Sequence, residues 1–205
     1  MMAIGKDFWE TEHIGNTGWL TGTSFESLLQ QFALALSDIQ GKKVLEIGVG
    51  RGHCTESFKE FAGELYCCDI SEGALDKVRS MAKEVYQTTN ISQAPTVDLA
   101  ISHLVFVHCT GDEMLRIING VNLTENGRFM FQVSGLKDGI LTTQAKEKLV
   151  DDGSHFFRSV EETKEIIARS NKEFVSMIGP NDILHEGWFD HQWYYVTVQN
   201  KNLMA

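Results

Sequence analysis

The chain has 205 residues, 42% apolar and 22% charged, with a formal net charge of −10 at pH 7. That length suits one domain, large enough for a seven-stranded sheet with helices on both faces. The acidic balance argues against a protein built to grip a nucleic-acid backbone, which needs a basic face, and no apolar run approaches the ~20 residues of a membrane span. Residues Met1 to Glu12 lack the apolar core of a signal peptide. Cys54, Cys67, Cys68 and Cys109 form no C-x-x-C pair, so reduced thiols, no metal site and a cytoplasmic location are the expectation.

In chain order, residues 1–22 carry Phe8, Trp9, His13, Ile14, Trp19 and Leu20 among glycines and polar residues. So aromatic a segment is expected to pack on the domain, either as a cap over a ligand cleft or simply tucked against the core. The remaining residues, 23–205, read as one domain. Thr23 and Glu26 make a capping box for a helix running to about Ser37, with Phe25, Leu28, Leu29, Phe32 and Leu36 on one face. Lys43 to Ile47 is an apolar strand ending in Glu46-Ile47, and Gly48, Gly50 and Gly52 follow on alternate positions. A helix from His53 to Phe61 follows the turn. Strand, glycine-rich turn and helix together bring backbone N–H groups and a helix N-terminus to one point, with no side chains to keep a ligand off the backbone.

The second strand, Glu64 to Ile70, ends at Asp69, and a helix from Ser71 to about Val85 follows. A short third strand, Val85 to Thr89, leads into the loop Thr89-Asn90-Ile91-Ser92. The fourth strand, Val97 to Ser102, runs on into His103–Cys109. Thr110 and Glu113 make a second capping box before a helix, Asn126-Gly127 reads as a turn, and Arg128 to Val133 is a fifth strand. Residues 143–150 are expected to be helical. Ser159-x-x-Glu162 is a third capping box, opening a helix to about Ser170, and Phe174–Ile178 and Trp193–Gln199 complete the set as a hairpin. Repeated βα units closed by a β-hairpin make a doubly wound α/β domain with a seven-stranded, mostly parallel sheet.

Glu46-x-Gly48-x-Gly50-x-Gly52 resembles the first motif of the class I S-adenosylmethionine-dependent methyltransferases of the small-molecule type. The nearest alternative, the dinucleotide fingerprint G-x-G-x-x-G, requires a third glycine where the chain has His53. The resemblance covers roughly residues 25–200 and implies the strand order 3-2-1-4-5-7-6. It also implies S-adenosyl-L-methionine as cofactor, with S-adenosyl-L-homocysteine as product. Glu46, Gly48, Gly50 and Gly52 would then wrap the methionine and ribose, and Asp69, with Ile70 beside it, would meet the ribose hydroxyls. An acid about 20 residues after the first glycine suits that task because a carboxylate only accepts hydrogen bonds. Asn90 is placed at the adenine edge, where the family often has an acid; a plain turn asparagine is the other reading. Ser102 and His103 would lie beside the sulfonium.

Methyl transfer to a hydroxyl needs a base, and His103 and His108 are the candidates. Trp9, His155 and Arg158 are candidates for the acceptor site. Arg158 is suited to a carboxylate or phosphate, or alternatively to a surface pair with Glu161 or Glu162. His185, Trp188 and His191 lie in a late loop that reaches the same mouth. The resemblance thus implies a methyltransferase acting on a small-molecule or glycan-precursor acceptor, preferentially at a hydroxyl, with an amine or phosphate-derived group as the alternative. A non-catalytic partner subunit is a further alternative. A homodimer is compatible, and no nucleic-acid partner is expected. A nicotinamide oxidoreductase is disfavoured because no Tyr is followed by Lys four positions on, and an amino-methylating nucleic-acid enzyme because Ser102-His103-Leu104-Val105 lacks prolines.

Overall fold

In the computed structural model, residues 6–14, 25–136, 156–181 and 191–201 are described. Seven strands form one sheet: β1 (Lys43–Ile47), β2 (Glu64–Asp69), β3 (Glu84–Gln87), β4 (Val97–Ser102), β5 (Leu123–Leu136), β6 (Lys172–Asn181) and β7 (His191–Asn200). Their order is β3-β2-β1-β4-β5-β7-β6, as expected. β7 runs antiparallel to both β5 and β6, and the other pairs are parallel. The described helices are α1 (Lys6–Ile14), α2 (Phe25–Gln31), α3 (His53–Phe61), α4 (Glu72–Val78), α5 (Gly111–Gly120) and α6 (Val160–Ala168).

The two-residue period of the strands sorts their side chains into two cores. Leu45, Ile47, Tyr66 and Cys68 pack with Met114, Ile117, Ile118 and Ile167 of α5 and α6. Val44, Leu65, Cys67 and Ile101 pack with Phe25, Leu28, Phe58 and Leu75 of α2, α3 and α4. Adjacent Cys67 and Cys68 therefore face opposite layers, and none of the four cysteines is in a disulfide. The expected capping boxes close α5 and α6: the Thr110 N–H donates to Glu113 Oε2 at 2.8 Å, and the Ser159 N–H to Glu162 Oε2 at 2.8 Å.

Several local expectations change. The first helix stops at Gln31 because Ala33 takes a left-handed φ of 50° and the Leu34 N–H turns back to Leu29 O. The chain resumes in a 3-10 turn, Leu36–Asp38, that points Leu36 outward at 39% exposure instead of inward. Thr23, the start of that helix in the sequence reading, lies outside the described residues, as do 143–150, His155, His185 and Trp188. The helix after β2 ends at Val78, freeing Glu84 to pair with Tyr66. Residues Thr88–Gln93 form a 3-10 turn, and so do Phe106–His108 in the segment that follows β4. Asn126-Gly127 is not a turn before a strand but an irregularity inside β5, where pairing to β4 jumps from Val97↔Leu123 to Leu99↔Arg128. A Cβ on Gly127 would sit 2.9 Å from both Val97 O and Thr124 N.

Candidate functional site

At the carboxyl end of β1 the chain passes through three left-handed glycines, with φ of 82° at Gly48, 52° at Gly50 and 83° at Gly52. Side-chain-bearing residues rarely adopt that conformation. Space disfavours a side chain at Gly48 as well, where a Cβ would lie 2.1 Å from Val105 Cγ2; one on Gly52 would press on Val78 Cγ1 at 3.0 Å. The turn is pinned to β2 by the Gly48 N–H, which donates to Cys68 O at 2.7 Å, and Gly52 is the N-cap of α3.

Asp69, at the end of β2, is buried and faces this turn. Its Oδ2 accepts the Gly50 N–H at 3.1 Å and its Oδ1 the Ser71 N–H at 2.9 Å. These two backbone donors fix the plane of the carboxylate beside the turn. Ile70, between them, is half-buried, and Asn90 is exposed in the turn after β3.

Glu46 lies in β1 just before the glycines, buried, with Oε2 accepting from Thr55 Oγ1 at 2.6 Å. Burial pushes its carboxyl up to about 8; the Thr55 bond works against that rise and the nearby Asp69 charge adds to it. Folding therefore takes up a proton at Glu46 between the ordinary value of 4.5 and about 8. Native protein binds more protons than unfolded chain in that window, so this group's stabilisation is full below 4.5 and is lost as pH rises through 8. Wild type should lose stability from pH 5 to pH 8 at up to about 1.4 kcal/mol per pH unit relative to Glu46→Gln. Urea unfolding of both proteins at pH 5, 6.5 and 8 checks it, and parallel slopes would contradict it.

Across the turn, Ser102 ends β4 level with Ile47 of β1. It is 1% exposed, and its Oγ has no hydrogen-bond partner. A buried hydroxyl without a partner costs stability unless a ligand satisfies it. His103 follows, with Nε2 3.2 Å from Gln31 Oε1 and its ring edge-on to Phe32. Burial pulls its imidazole down to about 4. Leu104 takes a left-handed φ of 58°. His108 ends the following 3-10 turn, with its ring 4.7 Å from that of Trp9.

Trp9 and Glu10, adjacent on α1, reach to the two sides of the turn. Trp9 meets His108 beyond β4. Glu10 accepts from Ser71 Oγ at 3.0 Å and from the backbone N–H groups of Glu72 and Gly73 at 2.7 and 3.1 Å beyond β2. Since β1 lies between β2 and β4, α1 crosses above the carboxyl end of β1. Sequence reasoning noticed the aromatic segment but had no signal for Glu10, whose partners lie 61 to 63 positions away.

Arg158 does not offer a free grip for an anionic acceptor. It is 8% exposed, with Nη1 donating to Phe106 O at 3.0 Å and Nη2 to Cys109 O, and it lies over the Phe156 ring. Its guanidinium braces the segment after β4, and those carbonyls take the place of the surface pair with Glu161 or Glu162. A cleft of about 330 Å³ lined by Phe156, Phe157, Arg158 and α6 residues shares none of the glycine-turn residues. Asp98, the second residue of β4, ties strands together at the far end of the sheet, accepting from the Lys43 N–H and Thr124 Oγ1. Among the described residues, no group of three or more His, Cys, Asp or Glu side chains is arranged to hold a metal ion, and no helix is long and apolar enough to cross a membrane.

The turn, Asp69, Ser102 and His103 thus meet at the carboxyl ends of β1, β2 and β4, where open α/β sheets take ligands. A nucleoside with a charged tail fits that set: acceptor oxygens at Asp69, glycine backbone that a Cβ would obstruct, and an unsatisfied hydroxyl at Ser102. Residues 45–131 match the family model described as a methyltransferase domain. No curated protein matches the chain. Among solved structures, magnesium protoporphyrin IX methyltransferase from Synechocystis, with bound S-adenosylhomocysteine, is similar at 14% identity and a TM-score of 0.63, over 94% of this chain and 96% of that one. The N-methyltransferase NodS from Bradyrhizobium japonicum, also with S-adenosylhomocysteine, gives 18% and 0.64, over 96% and 98%. Phosphoethanolamine N-methyltransferase 2 from Haemonchus contortus, in complex with phosphomonomethylethanolamine and S-adenosylhomocysteine, gives 17% and 0.60, over 94% of this chain and 57% of that one.

Proposed function

We propose that this chain, whose residues 45–131 match the family model described as a methyltransferase domain, is a class I S-adenosylmethionine-dependent methyltransferase that methylates a small-molecule or glycan-precursor acceptor, preferentially at a hydroxyl. The observation that carries this reading is Asp69, held by the Gly50 and Ser71 N–H groups at the mouth of the glycine turn. In this reading Asp69, with Ile70 beside it, receives the ribose hydroxyls, and Asn90 borders the adenine. Glu46, Gly48, Gly50 and Gly52 take the ribose and methionine portion, with Ser102 and His103 at the sulfur end. The cofactor, when bound, supplies a methyl group already activated on a sulfonium sulfur.

What the chain's own residues add is position, exclusion of water and a place for a proton. With the cofactor held there, His103 or His108 would take the proton that a hydroxyl acceptor must lose on methylation. The α1 helix, bridging His108 and the start of α4, serves as a cap, with Trp9 facing the acceptor. With Arg158 committed to two carbonyls, the residue best suited to an anionic acceptor is otherwise engaged, which favours a neutral hydroxyl. The amine alternative draws on the names of the two N-methyltransferases above. Incubating the protein with methyl-labelled S-adenosylmethionine and fractionated metabolite extract tests the proposal. Label in a methyl ether is the expected result. Label in an N-methyl product would move the acceptor to the amine class, and no transfer by protein that binds the cofactor would favour a partner subunit.

A further inference from the structure

A directed line of hydrogen bonds runs from the backbone of Leu104 to the ring of His103, entirely through uncharged side chains. The Leu104 N–H can only donate, and it donates to Gln132 Oε1 at 3.1 Å. That fixes the amide of Gln132, whose Nε2 then donates to Tyr195 Oη at 3.2 Å. Tyr195 is 1% exposed, so its hydroxyl proton needs a protein acceptor, and Gln31 Oε1 lies 2.8 Å away. Gln31 is therefore turned with its oxygen toward Tyr195 and its Nε2 toward Ser27 Oγ, at 2.9 Å. The same Oε1 is the atom 3.2 Å from His103 Nε2. Reversing any amide would set donor against donor or strand the Tyr195 proton.

We infer that this line holds His103 as the Nε2–H tautomer, so that Nδ1 is the ring nitrogen open to an acceptor's proton, with Gln31 and Tyr195 as its positioning residues. A histidine's free nitrogen is set by the bond its other nitrogen makes. The consequence for catalysis rests on the methyltransferase reading; the tautomer does not. The groups meeting the ring and its line are Gln31 and Phe32 from the α2 side, Gln132 from β5 and Tyr195 from β7. Tyr195 is the titratable one, and burial raises its phenol, so it stays neutral. Burial also holds the His103 imidazole low, at about 4, leaving its base nitrogen unprotonated at neutral pH.

Nitrogen-15 NMR of the full chain labelled at histidine, free and saturated with S-adenosylhomocysteine, tests this, with the His103 signals assigned by their loss in His103→Asn. The expected wild-type pattern is an unprotonated Nδ1 and a protonated Nε2, unchanged from pH 5.5 to 8. Tyr195→Phe should give a mixture of tautomers. Gln31→Glu, which sets a charge beside Nε2, should raise the ring's ionisation by about 1–3 pH units and bring its titration into view. A protonated Nδ1 in wild type, titration near the ordinary histidine value, or a tautomer untouched by Tyr195→Phe in folded protein would overturn the inference. If Tyr195→Phe does not fold, the wild-type pattern and Gln31→Glu decide. These readings need no cofactor, so failure to bind S-adenosylhomocysteine would sink the methyltransferase reading and leave the tautomer standing.

Discussion

Gly48→Ala should abolish cofactor binding and destabilise the protein by about 2–5 kcal/mol. Two costs add. The left-handed φ of 82° penalises any Cβ by about 1–2 kcal/mol, and a Cβ placed 2.1 Å from Val105 Cγ2 overpacks the turn at a further 1–3 kcal/mol or so. For a chain of this size the melting temperature should fall by roughly 10 °C. Two companion variants separate the terms. Val105→Ala on the Gly48→Ala background relieves the clash but not the strain, so it should recover part of the loss. Gly41→Ala shares a left-handed φ of 72° but meets nothing within 4 Å, so it should cost about 1–2 kcal/mol and leave S-adenosylhomocysteine affinity unchanged. Thermal melts and calorimetry on the four proteins check the set. Wild-type affinity in Gly48→Ala would show that no ligand approaches that backbone.

Asp69→Ala should cost a factor of roughly 10²–10⁴ in S-adenosylhomocysteine affinity. Two ribose hydroxyls donating to an ionised carboxylate contribute about 1.5–3 kcal/mol each. The substitution also leaves the Gly50 and Ser71 N–H groups without their shared acceptor, which loosens the turn itself. Asp69→Asn keeps one acceptor oxygen but sets its NH₂ against a backbone N–H, so it should fall between wild type and Asp69→Ala. Affinity within about threefold of wild type in folded Asp69→Ala protein would remove the ribose role from this residue.

Much of the site was legible because its pieces are local in sequence. β1, α3 and β4 fall on the residues expected from apolar runs bounded by glycine, lysine or helix starts, and two capping boxes were visible as four-residue patterns. Counting from the glycines pointed to Asp69, which the structure places beside the turn. What stayed hidden depends on distant partners or on an unusual backbone. Ala33 ends α2 in a conformation more typical of glycine, so periodicity carried the helix too far. Asn126-Gly127 has the composition of a hairpin turn, but Val97 and Thr124 close around it inside a continuous strand. Arg158, placed near the acceptor by its position after β5, is drawn inward by the carbonyls of Phe106 and Cys109, roughly 50 residues earlier. Gln31, Gln132 and Tyr195 come from a helix and two strands, the last pair paired through β5 and β7.

The most direct measurement is a calorimetric titration of the folded wild-type chain with S-adenosyl-L-homocysteine. One site per chain with micromolar affinity is the expected result, as a product site at the glycine turn requires. No heat and no shift in melting temperature at millimolar ligand would contradict the account, leaving Gly48, Gly50, Gly52 and Asp69 as architecture around an empty turn.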